Sequence, residues 1–286
     1  MLERVVDQRR RDLGGMQVGR VLPAPSQHMV GPFIFFDHLG PIRMPAGLPR
    51  STDVRSHPHI GLSTVTYLFS GEIMHRDSLG FEAPIRRGEV NWMTAGRGIT
   101  HSERFERARA QGDLLHGIQS WVALPAEYEE TEPAFTHYGQ EELLTFEEGG
   151  VWMRLLAGEA FGTRSQVVTH SPIFYIHWEI QAGSSVKLPV MYSERAAYVA
   201  SGSVEADGRR FEAGQMLIFK PGEDAVVKAL TQATLMGLGG EPVGQRFIEW
   251  NFVASTQARI EQAKADWKAG RMKLPDLDSD EFIPLP

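Results

Sequence analysis

The 286-residue chain is 42% hydrophobic and 23% charged, the composition of a soluble globular protein long enough for two ordinary domains. A net charge of −7 excludes a broad electrostatic grip on nucleic acid, which needs a basic face, so no direct nucleic-acid partner is expected and Arg9-Arg10-Arg11 reads as a solvated strand flank. The lack of cysteine excludes disulfides and thiolate chemistry, and the lack of an apolar leader core or bilayer-length apolar stretch leads to the expectation of a cytoplasmic protein with no membrane partner.

Strand and turn signals dominate in chain order. Thr64 to Phe69 reads as a strand rich in β-branched and aromatic residues, Ser70-Gly71-Glu72 as a turn, and Ile73 to Asp77 as the returning strand. Val151 to Leu156, Ile173 to Ile180 and Met216 to Phe219 read the same way, with glycines recurring between the runs as in a sandwich or barrel of short strands. A short helical turn is predicted after Gly139, in Gln140-Glu-Glu-Leu-Leu. Clear helical periodicity comes near the end, from Thr256 to Ala269, with Ser255 as predicted N-cap and Gly270 as the stop. The proline-punctuated tail after Lys273 is expected to lie extended over the surface.

A faint internal repeat divides the chain. Tyr67-Leu-Phe-Ser-Gly71 matches Tyr198-Val-Ala-Ser-Gly202, and Gly88-Glu-Val-Asn-Trp-Met matches Gly214-Gln-Met-Leu-Ile-Phe, which implies two barrels of one design divided between Thr131 and Gln140.

The chemistry concentrates in two pairs, His57 with His59 and His101 with Glu103, each spaced i, i+2. On a strand this spacing puts both side chains on one face, and two such pairs on neighbouring strands can aim four ligands at one point. Three imidazoles and a carboxylate suit a divalent transition metal, with Fe, Mn, Ni, Cu, Zn and Co all compatible by ligand type. Around Fe(II) such a set leaves up to two of six positions open for water, substrate or O2, as in a catalytic rather than a sealed structural site. A 2+ ion with one carboxylate keeps a net positive charge and favours an anionic chelating oxygen ligand such as an enolate or a phenolate. A Glu103 that loosens from the metal could take the proton from that ligand. Ala95, Gly96 and Gly98 allow close backbone approach before the second pair. Counting along the repeat carries His57, His59, His101 and Glu103 onto Leu188, Val190, Val227 and Ala229, all apolar, so the second barrel is expected to bind no metal.

Three blocks, Gly31-Pro-Phe-Ile-Phe-Phe-Asp-His-Leu-Gly-Pro41, His57-Pro-His-Ile-Gly-Leu-Ser-Thr-Val-Thr-Tyr67 and Trp92-Met-Thr-Ala-Gly-Arg-Gly-Ile-Thr-His-Ser-Glu103, resemble the pirin family of the cupin superfamily, and the likeness covers nearly the whole chain. The resemblance implies an all-β bicupin, two jelly-roll type barrels in tandem with a short C-terminal helix. Residues 1–135 would form the metal-binding barrel, and residues 136–286 the metal-free barrel plus helix and tail. It implies iron, with Fe(II) the first choice, on His57, His59, His101 and Glu103, which match the family's ligand positions one by one. Ser63 stands where the wider cupin pattern carries a glutamate. It implies one of two roles. One is a quercetin 2,3-dioxygenase-like oxidoreductase that opens flavonol-type aromatic, enolic substrates with O2 and releases carbon monoxide, Glu103 acting as catalytic base. The other is a non-enzymatic, iron-dependent regulator that binds a partner enzyme or transcription factor.

Other residues carry weaker signals. His75 and Asp77 are expected as a rim or hairpin pair held by hydrogen bonds, with a proton relay at the barrel mouth as the alternative. His38, beside Asp37, is either near the metal or structural. One of His116 and Gln119 could face the cavity. His28, His137 and His170 read as surface or loop residues, and His177 with Glu179 as strand-face residues. Trp92, Phe105 and Phe36 either wall a planar pocket or belong to the core.

Overall fold

In the computed structural model, which describes residues 1–12 and 16–286, the chain is nearly all-β and folds as two compact units. The site unit comprises Arg11–Val18, Leu39–Gly139 and Val243–Pro286; the companion unit comprises Met1–Arg10, Gly19–His38 and Gln140–Pro242.

The site unit is built from two sheets. One has the strand order Val54–His59, Ile99–Arg104, Glu72–Asp77, Glu82–Arg86. The other runs Ala134–Tyr138, Val90–Thr94, Leu62–Ser70, Asp113–Ala123 and on to Phe33–Met44, of which this unit holds the part from Leu39. A shared core of Leu39, Leu68, Ile73, Ile85, Phe105 and Leu115 joins them, each such side chain contributing about 1.5–3 kcal/mol by burial. Strand Glu72–Asp77 shows the period of two expected of a half-buried strand, with Ile73, His75 and Asp77 turned inward. Two of those three inward residues are polar, which marks the interior beyond the apolar core as something other than packing.

The companion unit repeats the layout. Ser185–Lys187, Val226–Ala229, Ser203–Ala206 and Arg209–Glu212 form the small sheet. The large sheet runs Leu2–Asp7, Gln215–Phe219, Glu194–Ser201, Ala233–Gly240, Ile173–Ile180, Val151–Ala160, Leu144–Glu148. Its main core cluster is aliphatic and aromatic. The repeated Tyr-x-x-Ser-Gly segments end equivalent strands, Leu62–Ser70 and Glu194–Ser201.

The division expected at residues 135/136 does not describe these units. The N-terminal strand Leu2–Asp7 pairs with Gln215–Phe219 in the companion unit. The terminal helix Gln257–Lys268 and the tail pack on the site unit through Ile60, Phe252, Ile260, Ala263 and Trp267. The reason is local: Ile60, beside His59, is an apolar residue that needs cover. The helix is capped by Thr256, whose hydroxyl accepts from the Arg259 amide, while Ser255, the expected cap, bonds Glu129 instead. Gly270 takes the left-handed stop position at φ +66°. The predicted turn after Gly139 is the 3-10 turn Gln140–Glu142, and the short helix Glu106–Gln111 was not signalled by the sequence. No helix among the described residues is long and apolar enough to cross a membrane.

The tail is pinned rather than simply laid on the surface. Phe282 pairs in parallel with Ser56, and the Ile283 amide donates to the Ser56 carbonyl at 2.9 Å. Asp278 accepts from Ser102 Oγ at 2.5 Å and from Arg104 Nε and Nη2 at 2.6 and 2.7 Å, with Arg104 only 2% exposed. Ser56, Ser102 and Arg104 alternate along their strands with His57, His101 and Glu103, so the tail grips the back of the strands that carry the candidate ligands. Burial pushes the Asp278 carboxyl up, but hydrogen bonds from Arg104 and Ser102 outweigh it and hold the group below the usual carboxylate value. A carboxylate held low stabilises the fold above its unfolded pKa of about 4, and that contribution is lost as pH falls through the lower folded value. Asp278→Asn is therefore expected to cost about 2 kcal/mol at pH 7, because Asp53 and Glu281 still face Arg104. The deficit should shrink below about pH 4. Urea unfolding at both pH values reads it, and equal stability at pH 7 would contradict the anchoring role.

Candidate metal centre

Strands Val54–His59 and Ile99–Arg104 run antiparallel with His101 directly opposite His57 and Ile99 opposite His59. Cross-strand partners share a face, so the three imidazoles meet inside the sheet pair. Ring centroids lie 4.4 Å apart for His57 and His101, 5.0 Å for His57 and His59, and 5.1 Å for His59 and His101. One nitrogen of each ring lies within 4.8 Å of the other two, a spacing one divalent ion can draw together.

The hydrogen bonds leave the right atoms bare. His57 Nδ1 bonds the Arg55 carbonyl at 2.8 Å and His59 Nδ1 the Asn251 carbonyl at 3.1 Å. A carbonyl can only accept, so both Nδ1 atoms carry the proton and both Nε2 atoms are lone pairs. His101 Nε2 is buried with no partner, a condition that costs about 1–3 kcal/mol unless a ligand relieves it. Burial pushes the pKa of His57 down to about 4, and burial together with the neighbouring rings pushes His59 and His101 well below the ordinary histidine value. Three uncharged imidazoles with free lone pairs are the donor set a borderline divalent cation takes.

Glu103 follows on the same face. A bulge between His101 and Glu103 shifts the register against Val54–His59, while on the other side His101 stays opposite Asp77 and Glu103 opposite His75. Glu103 is half-buried and hydrogen-bonded to Gln119, whose amide oxygen accepts from Thr66 at 2.8 Å. Burial raises its pKa to about 7, against the opposing pull of that Gln119 bond. The tight cluster of ligand atoms comprises the three imidazoles, without the Glu103 carboxyl. Gly61 and Gly96 brace the strand ends: the Gly61 amide donates to the Gly96 carbonyl at 2.9 Å, both have positive φ, and a Cβ on either would collide with a backbone carbonyl.

Several weaker candidates find definite places. His75 and Asp77 are the hydrogen-bonded hairpin pair expected, on the strand that turns back to Glu82–Arg86, but they are buried rather than at a rim; they are bonded to each other at 2.9 Å, and His75 Nδ1 lies 3.4 Å from His101 Nδ1. Gln119 rather than His116 faces the centre, and His116 packs on Phe69. His38 belongs to the companion unit, where it bonds the Tyr198 hydroxyl at 2.8 Å, and Asp37 pairs with Arg20. Phe36 packs on Tyr198 and Phe105 joins the apolar core, so neither walls a pocket. His137, expected at the surface, is a half-buried strand residue bonded to Asn91. Sequence reasoning missed Trp121, edge-on to His59 at 5.1 Å, and Phe135, stacked on His75 at 4.2 Å with ring planes 9° apart. The alternation around them was visible, but not which strands would pair.

In the companion unit, Val186 lies opposite Val227, and the Leu188 amide donates to the Ala225 carbonyl. His57 and His59 therefore correspond to Val186 and Leu188, two residues from the positions reached by counting; Val190 is 51% exposed. The connection to the following strand is longer there. Val186, Leu188, Val227 and Ala229 are all core residues. His177 bonds Glu179 at 3.0 Å and takes no part in a ligand cluster among the described residues.

Residues 15–122 match the pirin family and residues 175–273 the pirin C-terminal cupin domain. A pirin-like protein of Caulobacter vibrioides is 62% identical over the whole of both chains. The chain belongs to the pirin family. A pirin-like protein of Solanum lycopersicum is 31% identical, with 95% of this chain and 92% of the relative covered. The crystal structure of quercetin 2,3-dioxygenase from Acinetobacter baumannii superposes with a TM-score of 0.91 at 30% identity, covering 99% of this chain and 94% of that one. In this pirin the three inward histidines form a cluster compatible with a metal ion, and their bare ring nitrogens fit that task.

The dialysed chain is expected to bind one Co(II) per molecule. His101→Ala should weaken binding at least about a hundredfold, and His177→Ala should leave it unchanged, both read by calorimetric titration. Undiminished affinity in His101→Ala would contradict the assignment.

Proposed function

We propose that this pirin is a metal-dependent dioxygenase for flavonol-type, quercetin-like substrates, with Fe(II) held by His57, His59, His101 and, in its carboxylate form, Glu103. The observation that carries this reading is the cluster of three imidazoles with bare ring nitrogens, followed two residues after His101 on the same strand by the half-buried carboxyl of Glu103, which is bonded to Gln119. The likeness to the Acinetobacter quercetin 2,3-dioxygenase supports it. When bound, the ion supplies a Lewis acid for a pair of substrate oxygens and an electron route to O2.

The side chains supply the rest. The imidazoles bind without adding charge, so one carboxylate leaves the site cationic and selective for an anionic chelate. Glu103 accepts the proton from the substrate hydroxyl at its carboxylate oxygen. Gln119, its own oxygen taken by Thr66, keeps its amide N–H directed at Glu103 and so holds that carboxyl turned inward. Trp121, set edge-on to His59, adds an apolar neighbour to the centre.

Metal-reconstituted protein should consume O2 in a flavonol-dependent manner and release carbon monoxide. Glu103→Gln, which keeps the shape but cannot take a proton, should slow turnover about 10²–10³-fold while the three histidines still bind Co(II). An oxygen electrode checks both. No flavonol-dependent uptake with any of the Fe, Mn, Ni, Co, Cu or Zn forms would overturn the reading, and an unaffected Glu103→Gln rate would remove the role given to Glu103.

A further inference from the structure

Behind His101 runs a buried chain of hydrogen bonds that ends in a carboxylate. Asp77 Oδ1 accepts from the backbone amides of Leu79 at 2.9 Å and Phe81 at 3.2 Å, which ties it to its own hairpin turn. Its other oxygen, Oδ2, lies 2.9 Å from His75 Nε2. His75 Nδ1 in turn lies 3.4 Å from His101 Nδ1. Phe135 stacks flat on His75 and so fixes the plane of that ring. Asp77 and His101 are each 1% exposed and His75 4%, so the three groups are shielded from bulk solvent.

The direction of the chain follows from its closed end. A carboxylate that already accepts two amides can only accept from His75, so His75 Nε2 carries the proton. With the His75 ring uncharged, its Nδ1 is a lone pair and accepts from His101 Nδ1–H. His101 Nε2 is left as a lone pair inside the site, where it has no partner. We propose that Asp77 and His75 are positioning residues that dictate the tautomer of His101 and thereby present its Nε2 to the metal. This inference rests on the metal-centre reading but concerns the tautomer of His101 in the metal-free chain, which can be read with no metal bound. His57 and His59 obtain the same result from backbone carbonyls; His101 alone depends on side chains, and is the ligand that substitution can redirect.

The test is Asp77→Asn, which keeps shape and can keep both hairpin amides on its oxygen. Its amide nitrogen then donates to His75 Nε2, His75 carries its proton on Nδ1, and His101 must accept there and hold its own proton on Nε2, facing the metal. The expected results are an inversion of the His101 imidazole ¹⁵N pattern in the metal-free full chain and Co(II) affinity lower by about 10- to 100-fold, with a changed Co(II) visible spectrum. His75→Phe, which retains the stack on Phe135 but removes the acceptor, should weaken Co(II) binding similarly. His75→Gln, whose amide oxygen can accept from His101 Nδ1–H, should recover part of it. Thermal unfolding of the metal-free variants, expected to be cooperative as in the wild type, checks that they fold. An unchanged His101 tautomer in Asp77→Asn, or wild-type Co(II) affinity in both Asp77→Asn and His75→Phe, overturns the proposal. If the tautomer inverts while even the wild type binds no metal, the relay stands and the metal-centre reading falls.

Discussion

The centre depends on one arrangement: each of three buried imidazoles has one nitrogen committed to a hydrogen bond and the other left bare. Burial keeps the rings uncharged, so they neither repel one another nor repel an incoming cation. The committed nitrogens fix which atom points inward. An unrelieved lone pair costs about 1–3 kcal/mol, a noticeable part of the roughly 5–15 kcal/mol by which a domain is stable. The strands tolerate it because they are held from both sides, by the apolar core that joins the sheets and by the tail clamped to Ser56, Ser102 and Arg104. Structure that looks peripheral, a C-terminal strap and a hairpin turn, thus bears on the atoms that would meet a metal.

The two units show how little separates a metal site from a packed core. The same strands in the same order enclose His57, His59, His101 and Glu103 in one and Val186, Leu188, Val227 and Ala229 in the other. In the companion unit these positions contribute hydrophobic burial. In the site unit that stabilisation is forgone, and the tail, the helix and the Arg104 cluster hold the sheet instead.

The sequence was legible where the period of the strand decides the answer. The i, i+2 spacing of His57 with His59 and of His101 with Glu103 fixes which face each occupies, and the structure places the three imidazoles together. The β-branched runs and the terminal helix were readable for the same reason. What escaped depends on pairing between distant strands. Nothing local to His75-x-Asp77 says that it lies beside His101-x-Glu103; only the antiparallel register does. The tail's anchoring to Ser102 and Arg104 spans more than 170 residues and has no local signature. Counting along the repeat missed by two residues because the connection after Lys187 is longer than its counterpart, yet the apolar character survived the shift. The compact units also differ from a single cut near residue 135 at the chain ends, where the N-terminal strand joins the companion unit and the terminal helix joins the site unit.

X-ray absorption of the Fe(II)-loaded full chain is the most direct measurement of the central claim. The account predicts three imidazole nitrogens at about 2.1 Å, with the remaining neighbours oxygen. A first shell with fewer than three imidazoles, or one composed of oxygen alone, would contradict it.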